Sequence, residues 1–178
     1  MSATGEIVDF WRAAGPAHWF AKDAEFDACF RERFLAAHES AARGELDDWL
    51  ERAESSLALL LLLDQFPRNA FRGSARTYAT DAQARAVATR AIDAGHDQRI
   101  EPELRLFCYL PFAHSESLAD QDRSVELMRT LGTEPLEHAE GHRDIIRRFG
   151  RFPHRNALLG RTTTAAERAF LDADGFSG

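Results

Sequence analysis

The sequence has few of the features that indicate a disulfide-stabilised or membrane-spanning protein. It contains only two cysteines among 178 residues. Cys29 and Cys108 lie in helical apolar patterns and lack the spacing of a metal or redox site, so both are predicted to be reduced core residues of a cytoplasmic protein. The longest apolar run covers residues 57–63, whereas a helix needs about 20 residues to cross a bilayer. No basic region precedes an apolar stretch near the start, so no signal peptide is expected.

Several motifs of known chemistry are also missing. No segment alternates apolar and polar residues in the manner of a half-buried strand. The sequence has no nucleophile elbow, no phosphate loop and no dinucleotide fingerprint, and no cofactor is expected. The net charge of -7 argues against general affinity for nucleic acid or for an anionic membrane, because both repel an acidic protein.

Apolar residues, in contrast, recur with helical spacing along nearly the whole chain. Phe26, Phe30 and Phe34 follow Asp23, which is a residue type that caps helix N-termini. Near the other end, residues 164–167 have the spacing of a capping box. The pattern predicts an all-α fold of about eight to nine helices in antiparallel pairs.

The predicted domain organisation is simple. The chain is expected to form a single domain, residues 1–178, and the best candidate for a boundary between two helical halves is the stretch 68–80. Pro67 and Pro111 are each predicted to end a helix, because proline lacks an N–H group and clashes with the preceding turn. The stretch after Pro67 contains glycine and few periodic apolar residues, so it is predicted to be a loop.

A similar short motif follows two apolar helical runs: a proline, then an arginine and an asparagine. We call each copy a proline phrase. The two copies occupy residues 67–69 and 153–156. In one interpretation, their side chains donate to helix-end carbonyls and pair with Asp64, which fastens the fold internally. In the other, they converge with Gln65 to hold a carboxylate or a phosphate, for which the planar guanidinium is suited. The residues alone leave both interpretations open.

Three histidines stand in patterns that catalysis or metal binding uses. His114 lies two residues before Glu116, and a histidine oriented by a carboxylate is suited to act as a general base. His138 and His142 share a helix face at a spacing that metal sites use. The glutamate of a zinc-protease motif is absent and no third ligand is evident, so no metal is expected, and His142 is interpreted as a histidine at the edge of the core.

Three motifs together resemble those of the bacterial family called domain of unknown function 924. They occupy residues 63–69, 110–116 and 142–156, in the order in which that family has them. The resemblance implies an all-helical fold grouped with the tetratricopeptide-like (TPR-like) superfamily, a right-handed helical array or bundle. It brings no established activity, substrate or cofactor.

These observations predict a cytoplasmic helical protein whose polar pocket binds a small anionic ligand or a peptide carboxylate. Six arginines and a single acid, Asp144, occur between residues 143 and 161, which favours an anion site. One alternative is a hydrolase-like enzyme that uses His114 and Glu116 with electrostatic stabilisation by arginine. A second is a scaffold for protein–protein interaction. The pocket is predicted to comprise ten polar residues: Asp64, Gln65, Arg68, Asn69, His114, Glu116, His142, His154, Arg155 and Asn156.

Overall fold

Apolar residues at helical spacing form helices throughout the chain. The structure is a computed structural model and describes residues 3–173 and 175. No strand occurs among these residues, which confirms the all-α fold class. The helices are α1 (Ala3–Ala14), α2 (Pro16–Trp19), α3 (Ala24–Ala42), α4 (Ala53–Leu60), α5 (Phe66–Ala70), α6 (Asp81–Asp93), α7 (Pro102–Ala113), α8 (Leu118–Arg129), α9 (Thr133–Phe149) and α10 (Ala165–Asp172). Within the described part of the chain, no helix has the length and hydrophobicity needed to cross a membrane.

The described residues divide into two compact units. The first comprises residues 3–72 and 76–111, and the second comprises residues 73–75, 112–173 and 175. Helices α1 to α6 belong to the first unit and α8 to α10 to the second, while α7 ends just inside the second. That the whole chain forms one domain stays a prediction.

The core of the first unit is rich in aromatic rings. Phe30 packs edge-on against Phe66 with ring centroids 5.2 Å apart, and Trp11 packs edge-on against Phe107 at 5.3 Å. The indole N–H of Trp19 donates to the carbonyl of Trp11 at 2.7 Å. Because aromatic rings bury large apolar areas, these contacts hold α1, α3, α5 and α7 together.

Two of the predicted helix caps are confirmed. The Asp23 carboxylate accepts hydrogen bonds from the backbone N–H groups of Glu25 and Phe26 at 3.0 and 3.1 Å. At the start of α10, the Thr164 hydroxyl accepts from the N–H of Glu167, and the Glu167 carboxylate accepts from the N–H of Thr164. Each cap satisfies N–H groups that have no partner inside the helix.

The prediction that Pro67 ends a helix is wrong. Helix α4 runs through a π-helical segment, Leu61–Gln65, directly into α5. The predicted loop at 68–80 therefore begins only after Ala70, and it contains a 3-10 turn at Ala75–Tyr78.

Side chains from elsewhere in the first unit make this continuation possible. Pro67 cannot donate to the Leu63 carbonyl four residues earlier, and the Thr80 hydroxyl donates to it instead at 2.6 Å. The neighbouring Leu62 carbonyl lies 2.9 Å from Nδ1 of His38. Nδ1 is the donor here, because a carbonyl oxygen only accepts. Donors distant in sequence thus replace the bonds that proline removes.

Two further predictions are also wrong. Pro111 lies inside α7, which continues to Ala113. Cys29 is exposed, whereas Cys108 is buried as predicted, and burial raises the pKa of its thiol to about 12. Cys29 precedes the buried Phe30 by one residue, and one helical residue corresponds to about 100° of rotation, so its side chain leaves the core face.

The core of the second unit lies along α9. Ile145, Ile146 and Phe152 are buried together, and Phe149 and Phe170 pack against them. The helix ends at Gly150, whose φ of 70° is the left-handed conformation that glycine adopts without strain. This turn directs the chain into the second proline phrase.

Candidate functional site

The ten residues predicted to form the pocket are divided between the two units, and none of them is exposed. The first unit contains Asp64, Gln65, Arg68 and Asn69. The second contains His114, Glu116, His142, His154, Arg155 and Asn156. The structure brings residues of each set together within their own unit.

In the first unit, Arg68 binds two carboxylates. Its guanidinium donates to both oxygens of Asp81 at 2.9 and 3.2 Å. It also donates to the main-chain oxygen of Asp64 at 2.7 Å and lies 3.3 Å from the Asp64 carboxylate. Burial alone would lower the pKa of Arg68, but the two carboxylates outweigh burial and raise it. These contacts are the ones expected if the role of Arg68 is to stabilise the fold of its own unit.

The two amides of this set also have partners inside the first unit. Gln65 donates to the Asp64 carboxylate at 2.6 Å. Asn69 donates to the Asp27 carboxylate at 2.7 Å, and Arg72 binds the same carboxylate. Asn69 therefore joins α5 to α3.

In the second unit, three nitrogen-bearing side chains contact one buried aromatic ring. The ring of Phe152 lies 5.6 Å from the ring of His142 and 5.6 Å from the ring of His154, measured between centroids. Cζ of Arg155 lies 4.6 Å from the Phe152 centroid, where the ring face attracts a cation. Arg155 is itself only 7% exposed. We call these four residues the Phe152 cluster.

His142 is the member of the cluster whose acid–base behaviour is changed. Its pKa is lowered to about 3. The cause is burial first and then four neighbouring groups that disfavour a further positive charge: His114, His138, Arg155 and His154. His142 is therefore neutral at neutral pH, and its surroundings contain the Arg155 guanidinium and three further imidazole rings.

Glu116 fixes the backbone of the cluster. Its carboxylate accepts from the N–H of Phe152 at 2.8 Å and from both terminal nitrogens of Arg161 at 2.7 and 3.0 Å. Arg161 also donates to the Phe152 carbonyl at 3.1 Å. Although burial raises the pKa of Glu116, these donors outweigh it and lower the pKa. Glu116 is thus an ionised anchor for the start of the second proline phrase.

A second ion pair holds the end of the same phrase. Arg151 donates to both oxygens of the Glu167 carboxylate at 2.6 and 2.9 Å, and Asn156 donates to Glu167 at 3.3 Å. The bond from Arg151 is the main reason that the pKa of Glu167 is lowered to about 2. Asn156 therefore fastens its own segment to α10.

The arginine excess between residues 143 and 161 is largely balanced by acids from other parts of the second unit. Arg151 and Arg161 bind the glutamates described above, and Arg143 and Arg147 lie 3.6 and 3.7 Å from the Asp122 carboxylate. Arg148 and Arg155 stack on aromatic rings, and Arg155 also lowers the pKa of the Glu116 carboxyl.

The two histidines at metal-ligand spacing do not complete a metal centre. In the described residues, no group of three or more histidine, cysteine, aspartate or glutamate side chains is placed to hold a metal ion. His138 lies one turn before His142 on α9 and contributes to its electrostatic surroundings instead.

Sequence reasoning missed the residues that pair with or support the predicted ones. They are Asp81, Phe152, Arg151, Arg161 and Glu167. The arginine-rich segment is the one signal that included Arg151 and Arg161. Their carboxylate partners stand 16 and 45 residues away in the chain, and no local spacing relates residues that distant.

The comparisons with known proteins agree with this helical architecture. The family model for bacterial proteins of unknown function, DUF924, matches residues 7–175. The chain belongs to this family, as the resemblance of its three motifs suggested, while the TPR-like grouping stays a prediction.

A solved structure supports the same conclusion. The protein of unknown function ATU0120 from Agrobacterium tumefaciens is 59% identical and superposes with a TM-score of 0.94, over 96% of this chain and 97% of that one. None of the curated proteins matches the chain.

Proposed function

We propose that this protein binds a small anionic molecule in its second unit, with Arg155, His142 and His154 as the recognition groups. The observation that supports the proposal is the Phe152 cluster, where three side chains with ring or guanidinium nitrogens contact one buried ring. A guanidinium that is held against a ring and largely removed from water interacts strongly with a carboxylate or phosphate.

The electrostatics of the unit favour an anion over a cation. The two nearby glutamates, Glu116 and Glu167, are each bound by an arginine through both oxygens. The surroundings of His142, in contrast, contain Arg155 and three further histidines. Arg155 also lowers the pKa of the Glu116 carboxyl. Because these groups disfavour a positive charge at His142, a cation is disfavoured there and an anion is not.

The contacts of Glu116 favour binding over the hydrolase-like alternative. A catalytic carboxylate would have to orient the base His114. The Glu116 oxygens instead accept from Arg161 and from the backbone of Phe152. Glu116 accordingly serves as an anchor in the proposed site, and location in the cytoplasm remains part of the proposal.

The proposal predicts that Arg155→Lys weakens anion binding by about tenfold or more, because lysine keeps the charge but loses the planar fork. Succinate and inorganic phosphate are the probes, and isothermal titration calorimetry gives the dissociation constants. For the wild type, a probe at about 100 times its dissociation constant should stabilise the fold by about 2.7 kcal/mol.

Arg43→Lys is the matched control, because Arg43 is exposed and pairs with Glu45 in the first unit. It should bind both probes as the wild type does. The proposal is wrong if the wild type binds neither probe, or if Arg155→Lys binds them unchanged. Binding of a peptide with a terminal carboxylate but of neither small anion would assign the site to a protein partner instead.

A further inference from the structure

A groove with a volume of about 520 Å³ lies along α9 in the second unit. Its lining includes His142 of the Phe152 cluster, and on the other side it reaches Phe170 and Gly175. Clefts of about 300–1,000 Å³ are typical of sites for small organic molecules. The groove is therefore large enough for more than an inorganic anion.

One wall of the groove is aromatic. Phe149 and Phe170 line it with their ring centroids 5.1 Å apart and their planes inclined at 52°. Ile145 completes the apolar surface. Rings that are only partly buried against the core offer a surface on which a flat apolar group gains by leaving water.

A cation stands over this aromatic wall. Cζ of Arg148 lies 4.7 Å from the Phe149 centroid and 5.6 Å from the Phe170 centroid. No carboxylate in the described part of the chain lies within ion-pair distance of Arg148, whereas its neighbour Arg147 lies 3.7 Å from Asp144. The acids of the lining, Asp144 and Glu137, are both exposed to solvent. Arg148 is exposed as well, but it stacks on both rings, so the charge in contact with the aromatic wall is positive.

We infer that the groove binds an aromatic carboxylic acid. The ring of the ligand lies against Phe149 and Phe170, and its carboxylate faces Arg148 and His142. The inference rests on the proposed anion site and extends it, because His142 belongs to both the cluster and the groove. It names the class of ligand: a small monocarboxylate that carries a flat apolar body.

The first test compares three probes with the wild-type protein. Phenylpropionate carries both the ring and the charge, acetate lacks the ring, and phenylpropionamide lacks the charge. We expect phenylpropionate to bind at least about tenfold more tightly than either of the others, since each lost group removes more than about 1.4 kcal/mol. Equal binding of acetate or of the amide would overturn the inference.

The second test fills the groove. Gly141 lines it within α9, and a Cβ atom placed there meets nothing within 4 Å. Because glycine destabilises a helix interior and leucine is a good helix former, Gly141→Leu should fold at least as stably as the wild type. It should lose about tenfold or more in affinity for phenylpropionate and keep its affinity for phosphate.

Arg148→Gln should likewise weaken phenylpropionate binding by about fivefold or more, and Arg147→Gln, one residue away and outside the groove, should not. If Gly141→Leu and Arg148→Gln bind phenylpropionate with the affinity of the wild type, the groove inference is wrong. The anion site is a separate question: it is supported, whatever happens at the groove, if Arg155→Lys has a lower affinity for phosphate. If phosphate and succinate fail to bind but phenylpropionate binds in a Gly141-dependent way, the small-anion proposal is wrong and the groove inference stands.

Discussion

Replacing Arg68 by alanine is expected to lower the free energy of unfolding by about 3–5 kcal/mol, because it removes a guanidinium from two buried carboxylates. The side chains of Asp64 and Asp81 are only 1% and 10% exposed. A buried carboxylate that loses its counter-charge cannot be compensated fully by water. Such a loss is a large fraction of the stability of an ordinary domain.

Urea denaturation followed by circular dichroism measures this effect. Arg43→Ala is the control, since both side chains of the Arg43–Glu45 pair are about half exposed and an exposed ion pair contributes little to stability. Arg68→Lys keeps the charge and should lie between the wild type and Arg68→Ala. It also gives a measurable value if the alanine variant does not fold.

The result also bears on the two interpretations of the first proline phrase. Severe destabilisation by Arg68→Ala would favour internal fastening as the role of Arg68. A variant as stable as the wild type would contradict the expected cost, and the ligand-binding prediction for Arg68 would then gain support.

The second large effect is a loss of stability as the pH falls from about 6.5 towards 3. The pKa of His142 is lowered from 6.5 to about 3 by burial and by the positive groups around it. Between these values the unfolded chain binds a proton at His142 and the folded chain does not, so unfolding is favoured. Since one pKa unit corresponds to about 1.4 kcal/mol, the loss over the whole window is on the order of 5 kcal/mol.

A second window lies at lower pH. The pKa of Glu167 is lowered from 4.5 to about 2, first by the hydrogen bond from Arg151. The stability that this pair contributes is present above about pH 4.5 and is lost as the pH falls towards about 2. Burial also lowers the pKa of His38, so the loss of stability between about pH 6.5 and 4.5 comes from both histidines, and the part due to His142 is the difference between the wild type and a variant without it.

Urea denaturation of His142→Gln across this range tests the assignment. The variant should lose the His142 part of the pH dependence between about 6.5 and 4.5 and keep the part due to His38, whereas His138→Gln, an exposed position one turn away on α9, should keep both. NMR titration of the histidine ring protons gives the pKa directly. A His142 that titrates near its ordinary value would contradict the prediction, and added succinate should raise its pKa if the proposed anion site is correct.

The sequence alone was sufficient to predict the features that depend on residues within one helical turn of each other. The caps at Asp23 and at Thr164 were predictable because a side chain at one position reaches an N–H two or three residues later. The all-α fold followed from apolar spacing for the same reason. The three motifs that resemble DUF924 were sufficient to identify the family.

The sequence was insufficient where a local rule was overridden by a distant side chain. Pro67 does not end its helix, because Thr80 donates to the carbonyl that proline leaves without a donor. Cys29 lies in an apolar pattern, yet the packing of α3 places it on the solvent side. The first error arises because a donor distant in the sequence satisfies the carbonyl, and the second because only the packing against neighbouring helices determines which apolar face is buried.

For the candidate site, the sequence by itself determined which chemical groups are present: the two arginine–asparagine phrases, the histidines and the excess of arginine before residue 161. Only the tertiary structure decided what each group touches. It placed His142, His154 and Arg155 against the ring of Phe152. It also paired Arg68, Arg151 and Arg161 with carboxylates. Charge pairing and burial depend on distances in space, and a sequence specifies those only through the packing of the whole unit.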